Sequence, residues 1–159
     1  MPIIRPTQSP SLPTECYRGV MNASEQGPIT GGSFVDVEWD LLPVNTKGGT
    51  PLNTSTGIFT VPTGMGGTWD VQAQLRLFAM DPGREYTFTI EKNGASPFAG
   101  VIAILEADTD EHSIGAAWRA ELAAGDEIVA TLKCTSGYDL TKIDGNGAYS
   151  WIDYTFHPR

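Results

Sequence analysis

Between Trp69 and Phe78 every second residue is apolar: Trp69, Val71, Ala73, Leu75 and Leu77 alternate with Asp70, Gln72, Gln74 and Arg76. A period of two places one set on each face of an extended strand, with one face toward a core and the other toward water. The same period recurs at Val35, Val37, Trp39 and Leu41 against Asp36, Glu38 and Asp40, and at Tyr86, Phe88 and Ile90 against Thr87 and Thr89. It returns at Ile114, Ala116, Trp118, Ala120 and Leu122. A chain that repeats this pattern must pair strands into sheets and pack the sheets face to face. Further strands are expected at Ile58 to Val61, Phe98 to Leu105, Glu127 to Cys134, and Ala148 to Phe156 with its Tyr149, Trp151, Tyr154 and Phe156. Eight or nine strands result. Ala116 to Ala124 also contains good helix formers, but Gly125 would cut such a helix to a couple of turns.

The connections carry turn chemistry. Asp81-Pro82-Gly83 fixes one backbone angle with Pro and admits a positive one with Gly, and Asn93-Gly94 is the dipeptide of tight hairpins. Ala123-Ala124-Gly125-Asp126 turns the chain once more, and Gly64-Met65-Gly66-Gly67 gives a flexible link with no Lys and no helix for cradling phosphate. Eighteen glycines and eleven prolines with only 18% charged residues fit many short connections rather than long solvated helices.

Residues 1–32 read differently. Pro2, Pro6, Pro10, Pro13 and Pro28 stand there among Ser, Thr, Gln and Gly, which prevents a helix and leaves few ladder hydrogen bonds. The expected organisation is an extended anchoring arm over 1–32 and a sandwich domain over 33–159. Ile3, Ile4, Leu12, Tyr17 and Val20 are the apolar residues by which the arm would hold a larger particle.

Nineteen acidic against ten basic residues give a formal charge of −9, which disfavours nucleic acid in the absence of a basic run. No stretch approaches the ~18 apolar residues of a membrane span, and the N-terminus lacks the apolar core of a signal peptide, so synthesis in a host cytoplasm without membrane partners is expected. Cys16 and Cys134 match neither a disulfide framework nor a zinc spacing and are expected as free thiols. No cofactor is expected.

His112 and His157 are the only histidines, and neither stands beside a nucleophile and an orienting acid in sequence, which argues against a Ser-His-Asp hydrolase. Asp108, Asp110 and Glu111 form the densest set of oxygen ligands, but they lack the Gly and distal Glu of a calcium loop and read as a solvated turn. Asp139 and Asp144-Gly145-Asn146-Gly147 also read as turns. Trp39, Trp69 and Trp118 fall on the faces of Val and Leu, so core or subunit contact is favoured over carbohydrate stacking.

Four stretches resemble, in order, the globular head of the complement-component-1q and tumour-necrosis-factor superfamily. They are Asn45 ahead of Thr56-Gly57-Ile58-Phe59-Thr60-Val61-Pro62 with Gly67-Thr68-Trp69-Asp70-Val71; Ile90-Glu91-Lys92-Asn93-Gly94; Leu122-Ala123-Ala124-Gly125-Asp126-Glu127-Ile128; and the aromatic last strand. The chain departs from that pattern in having Trp69 after Gly67 for the usual Gly-Tyr, and Ser150-Trp151-Ile152-Asp153-Tyr154 where the family has Phe-Ser-Gly. The collagen-like stalk of secreted relatives is also missing.

The resemblance implies an all-β antiparallel jelly roll that assembles as a homotrimer, with Tyr149, Trp151, Tyr154 and Phe156 as candidate interface residues. Relatives without stalk or signal occur among bacteriophage virion proteins. By that analogy the expected role is a non-enzymatic capsid decoration or cement protein, or a fibre tip, on the virion surface, attached by its arm to the major capsid or another virion protein. The alternative is a carbohydrate- or receptor-binding adhesin domain.

Overall fold

The computed structural model describes residues 15–22, 25–29, 31–94, 101–106, 110–135 and 140–158, with the backbone alone for 101–106. Eleven strands and no helix occur among them: β1 Glu15–Asn22, β2 Val35–Asp36, β3 Leu41–Asn45, β4 Phe59–Thr60, β5 Gly67–Phe78, β6 Glu85–Lys92, β7 Val101–Glu106, β8 Glu111–Leu122, β9 Glu127–Cys134, β10 Lys142–Ile143 and β11 Asn146–His157. The chain is therefore all-β and antiparallel. The helical possibility for Ala116 to Ala124 is excluded, because β8 pairs with β5 residue by residue from Gly67↔Leu122 to Phe78↔Glu111.

Two sheets form. Sheet A runs β8, β5, β11, β1, β3, with β10 pairing to β5 at Leu77 and Phe78. Sheet B runs β2, β9, β6, β7, with β4 also pairing to β9. The apolar parity of each strand faces the other sheet, giving a core with Trp39, Trp69, Tyr17, Tyr86, Tyr154, Phe59 and Phe88 fully buried. Phe59 of sheet B stacks on Tyr154 of sheet A at 3.9 Å between ring centroids and meets Tyr17 and Trp69 edge-on at 5.4 and 5.6 Å. Aromatic pairs of this kind add to the burial that holds the sheets together.

The first boundary expected from the sequence needs correction. Residues 15–22 are not an external arm: β1 lies inside sheet A, paired on one side with β11 (Tyr17↔Tyr154, Gly19↔Ile152) and on the other with β3 (Arg18↔Val44). Tyr17, Met21 and the following Ile29 belong to the core. Gly19 marks where the interior is tightest, since a Cβ there would lie 3.0 Å from both Ile152 Cγ2 and Leu52 Cδ2. A sequence-level pattern of Tyr17, Gly19 and Met21 therefore hides its apolar face behind a glycine.

The segment from Val35 to Leu41 also differs from expectation. It is not one strand with Leu41 on the core face. Val35–Asp36 belongs to sheet B, Leu41–Asn45 belongs to sheet A, and the chain crosses between them with Val37 and Trp39 wholly buried. Gly57 packs against this crossover: its φ is +69°, and a Cβ would fall 1.8 Å from the Val37 carbonyl oxygen, so only glycine fits.

The turns follow their chemistry except at Asn93-Gly94. Both residues have positive φ, 55° and 60°. The last pair between β6 and β7 is Ile90↔Val101, however, with residues 91–100 between them, so the dipeptide belongs to a longer connection and is not a two-residue hairpin. Asn93 is drawn toward β9: its N–H donates to Glu127 O at 2.8 Å and its Nδ2 to Asp126 Oδ1 at 2.9 Å.

Candidate functional site

The outer face of sheet A is built from the parity that its strands turn away from the core. Because directly paired residues share a face, the register gives a row across five of the six strands, Leu41, Val20, Trp151, Gln74 and Gly115. The next row is Val44, Arg18, Asp153, Gln72 and Ala117. Leu41, Val44 and Tyr149 are 44%, 38% and 43% exposed, high values for large apolar side chains, and Trp151 and Val20 are half-buried beside them.

Charges on this face are compensated and stacked on rings. Arg18 forms a two-pronged bond to Asp153, with Nε–Oδ1 and Nη2–Oδ2 both 2.5 Å, while its guanidinium lies 5.3 Å from the Trp151 ring centroid. Arg76 bonds Glu111 and Asp144 and lies 4.5 Å from the Tyr149 ring. Planar guanidinium groups that are held by carboxylates and stacked on aromatics are weakly hydrated and tolerate burial at an interface. Toward the other end the face is polar: Arg119 donates to both oxygens of Asp70 at 2.6 and 2.9 Å, His157 Nε2 lies 2.8 Å from Asp70 Oδ2, and Thr68 bonds Glu121. The Arg119 bonds hold the Asp70 carboxyl below its usual range against an opposing effect of burial, with His157 helping.

The residues singled out from the sequence fall into three groups. Ile3, Ile4 and Leu12 lie outside the described residues. Tyr149, Trp151 and Val20 come together on the outer face of sheet A. Tyr17, Tyr154 and Phe156 do not: they are 1%, 0% and 7% exposed in the molecule's own core, so none is available to a particle or a neighbouring subunit. The reason is strand parity, since Ile152, Tyr154 and Phe156 alternate with Trp151, Asp153 and Thr155. Burial raises the Tyr154 phenol far above its ordinary value, and its hydroxyl finds no partner among the described residues.

Sequence reasoning missed Leu41 and Val44. Pro43 between them was the available signal, because proline inside an apolar run points to an edge strand.

The other sequence motifs are turns or core. Of the acidic set, Asp108 lies outside the described residues, Asp110 accepts the Met80 N–H through its backbone, and Glu111 bonds Arg76. Asp144 caps Asn146 and pairs with Arg76, and Asp139 lies outside the described residues. Among the described residues no group of three or more His, Cys, Asp or Glu could hold a metal ion, and no helix is long and apolar enough to cross a membrane. Cys16 and Cys134 are not joined in a disulfide. Trp39 and Trp69 are buried and Trp118 packs against the core.

No family model matches the sequence, and no curated protein matches it. Solved structures do match in fold. Murine APRIL superposes with a TM-score of 0.66 at 14% identity over 91% of this chain and 99% of that one. The globular domain of zebrafish complement 1qA gives 0.61 at 10% identity over 91% and 98%, and Eiger TNF from S. frugiperda gives 0.60 at 17% identity over 91% and 93%. The antiparallel jelly roll of the tumour-necrosis-factor and complement-1q heads is the fold of this chain.

Proposed function

We propose that this chain is a non-enzymatic structural module that assembles as a homotrimer through the outer face of sheet A and decorates or cements a bacteriophage capsid, or tips a fibre. The observation that carries the assembly is the clustering of Leu41, Val44, Tyr149, Trp151 and Val20 on one sheet face, next to guanidinium groups already neutralised and stacked. An interface core depleted of unpaired charge and enriched in Trp, Tyr and Arg, with a polar rim, is what stable subunit contacts share. The fold shared with complement 1qA and Eiger TNF supports this reading.

Attachment to the particle is assigned to the residues ahead of β1, which include Ile3, Ile4 and Leu12. Tyr17 cannot take part, being buried in the core, and Val20 is assigned to the contact on the outer face of sheet A. Three copies of a short anchoring segment would add avidity.

The test is sedimentation of the whole chain beside Trp151→Glu. A trimer at micromolar concentration that becomes a folded monomer on substitution is the expected result; a stable wild-type monomer overturns the assembly. For the particle role, a chain lacking residues 1–14 should fold and trimerise yet fail to decorate capsids. Retained decoration would shift the contact to the jelly roll itself.

A further inference from the structure

The geometry points to a binding site on the outer face of sheet B for an organic cation, a primary ammonium group carried on a short apolar chain. A cavity of about 440 Å³ opens there, lined by Phe34, Asp36, Ile58, Glu91, Val129 and Thr131, with Glu127 also on its wall. That volume lies within the range of small-ligand pockets.

The register explains the assembly of the site. Asp36 pairs with Thr131 and Thr131 with Thr89, so one row crosses β2, β9 and β6; Glu91 stands two residues along, opposite Val129. Although this parity faces away from the core, Thr89 and Thr131 are buried and Glu91 is only 8% exposed. Both threonine hydroxyls converge on a single oxygen, Glu91 Oε1, at 2.8 and 3.0 Å. Oε2 accepts no hydrogen bond among the described residues. Oε2 is not among the fully enclosed unpartnered atoms, so this otherwise buried carboxylate opens one oxygen to the cavity, where a cation or donor can meet it.

No described residue supplies that cation. Asp36, Glu91 and Glu127 form no ion pair among the described residues. Lys92 is committed to Asp126 at 2.6 Å. Lys133, on the same face, holds its ammonium 5.3 Å from the Phe34 ring centroid, which shows that this ring of the cavity wall can face a cation. Burial, and then the charge of Glu91, raise the Asp36 carboxyl above its usual value, as expected for neighbouring carboxylates without a counter-ion.

The occupant is organic, not a metal ion. The acidic groups do not converge closely enough for a metal, as no set of three described ligands does. Phe34, Ile58 and Val129 offer an apolar wall that would suit an alkyl chain whose ammonium meets Glu91 and Asp36.

The probe is n-butylammonium, titrated into the whole chain by calorimetry and by amide chemical shifts, with 1-butanol and calcium as controls. Saturable binding by about 10 mM is expected, with shifts confined to β2, β6 and β9, and at least about tenfold weaker binding in Asp36→Asn and Glu91→Gln. Asp36 is exposed at the sheet edge, so its variant keeps the test valid should Glu91→Gln not fold. The site is overturned by no saturation, by equal binding of 1-butanol, by an unaffected Asp36→Asn, or by calcium binding at the same residues.

Discussion

The outer faces of the two sheets come from the same strand arithmetic and differ in how they treat charge. On sheet A, Arg18, Arg76 and Arg119 each meet a carboxylate, two of them against an aromatic ring, and the uncharged remainder of the two central rows is apolar or small apart from Gln72 and Gln74. On sheet B, Asp36, Glu91 and Glu127 gather around a cavity, and the two hydroxyls that reach Glu91 satisfy only one of its oxygens. A face whose charges are already balanced can be covered by another protein surface at small desolvation cost, whereas a face with unbalanced charge favours a counter-ion. The fold supplies two faces of equal regularity, and side-chain pairing alone gives them different uses.

The largest expected effect comes from removing a strand that supports only one of the faces. Deleting residues 1–30 takes β1 from between β11 and β3 and strips Tyr17, Met21 and Ile29 from the core, so cooperative thermal unfolding should be lost. Deleting 1–14 leaves β1 in place and should preserve the transition. Circular dichroism melts of the two truncations separate these outcomes, and a folded 1–30 deletion would show that sheet A tolerates the loss of an internal strand.

Next in size is Phe59→Ala, which removes the ring that joins sheet B to Tyr17, Trp69 and Tyr154. A loss of about 3–5 kcal/mol is expected in urea unfolding. Because Phe59 touches neither outer face, sedimentation of the folded fraction should not change.

The smallest effects concern acid, and they should have opposite signs on the two faces. The Asp70 carboxyl on sheet A is lowered from its ordinary value near 3.8, first by Arg119, so its stabilisation is complete above that value and is lost as pH falls through the folded-state value. Asp36 on sheet B is raised, so its ionisation opposes folding above its folded-state value, and acidification through that value relieves the opposition. Arg119→Ala should therefore flatten the acid loss of stability, and Asp36→Asn should leave neutral-pH stability equal or slightly higher. Melting temperatures between pH 7 and 3 check both; a destabilised Asp36→Asn at neutral pH would remove the contrast between the faces.

Strands whose apolar parity is unbroken were readable in the sequence. β5, β6, β8 and β9 stand where alternation or apolar runs placed them, because each buries every second side chain against the opposite sheet. β1 was unreadable since Gly19 occupies a core position that admits no side chain, and the prolines ahead of it suggested an extended external segment. β11 is readable as a strand, but its run of aromatic residues does not announce that parity divides them, Tyr149 and Trp151 outward, Tyr154 and Phe156 inward. The acidic cavity left no local signal. Asp36, Glu91 and Thr131 lie far apart in the chain, and only the register of β2, β9 and β6 brings them to one row and the next.

The crossover from β2 to β3 bears on how the molecule opens. Val37 N–H donates to Ala130 O of sheet B at 2.8 Å, while Asp40 accepts the Asn22 N–H of sheet A at 2.9 Å, and Gln26 clamps the stretch between through Asp36 O and Glu38 N. A few residues thus belong to both layers at once. Separating the layers requires this strap to leave one of them, so amide protons of β1 and β9 should exchange with solvent through a shared opening event, not layer by layer. A surface that must stay shut while its neighbours exert force on it gains from such a link, because pulling on either face loads both.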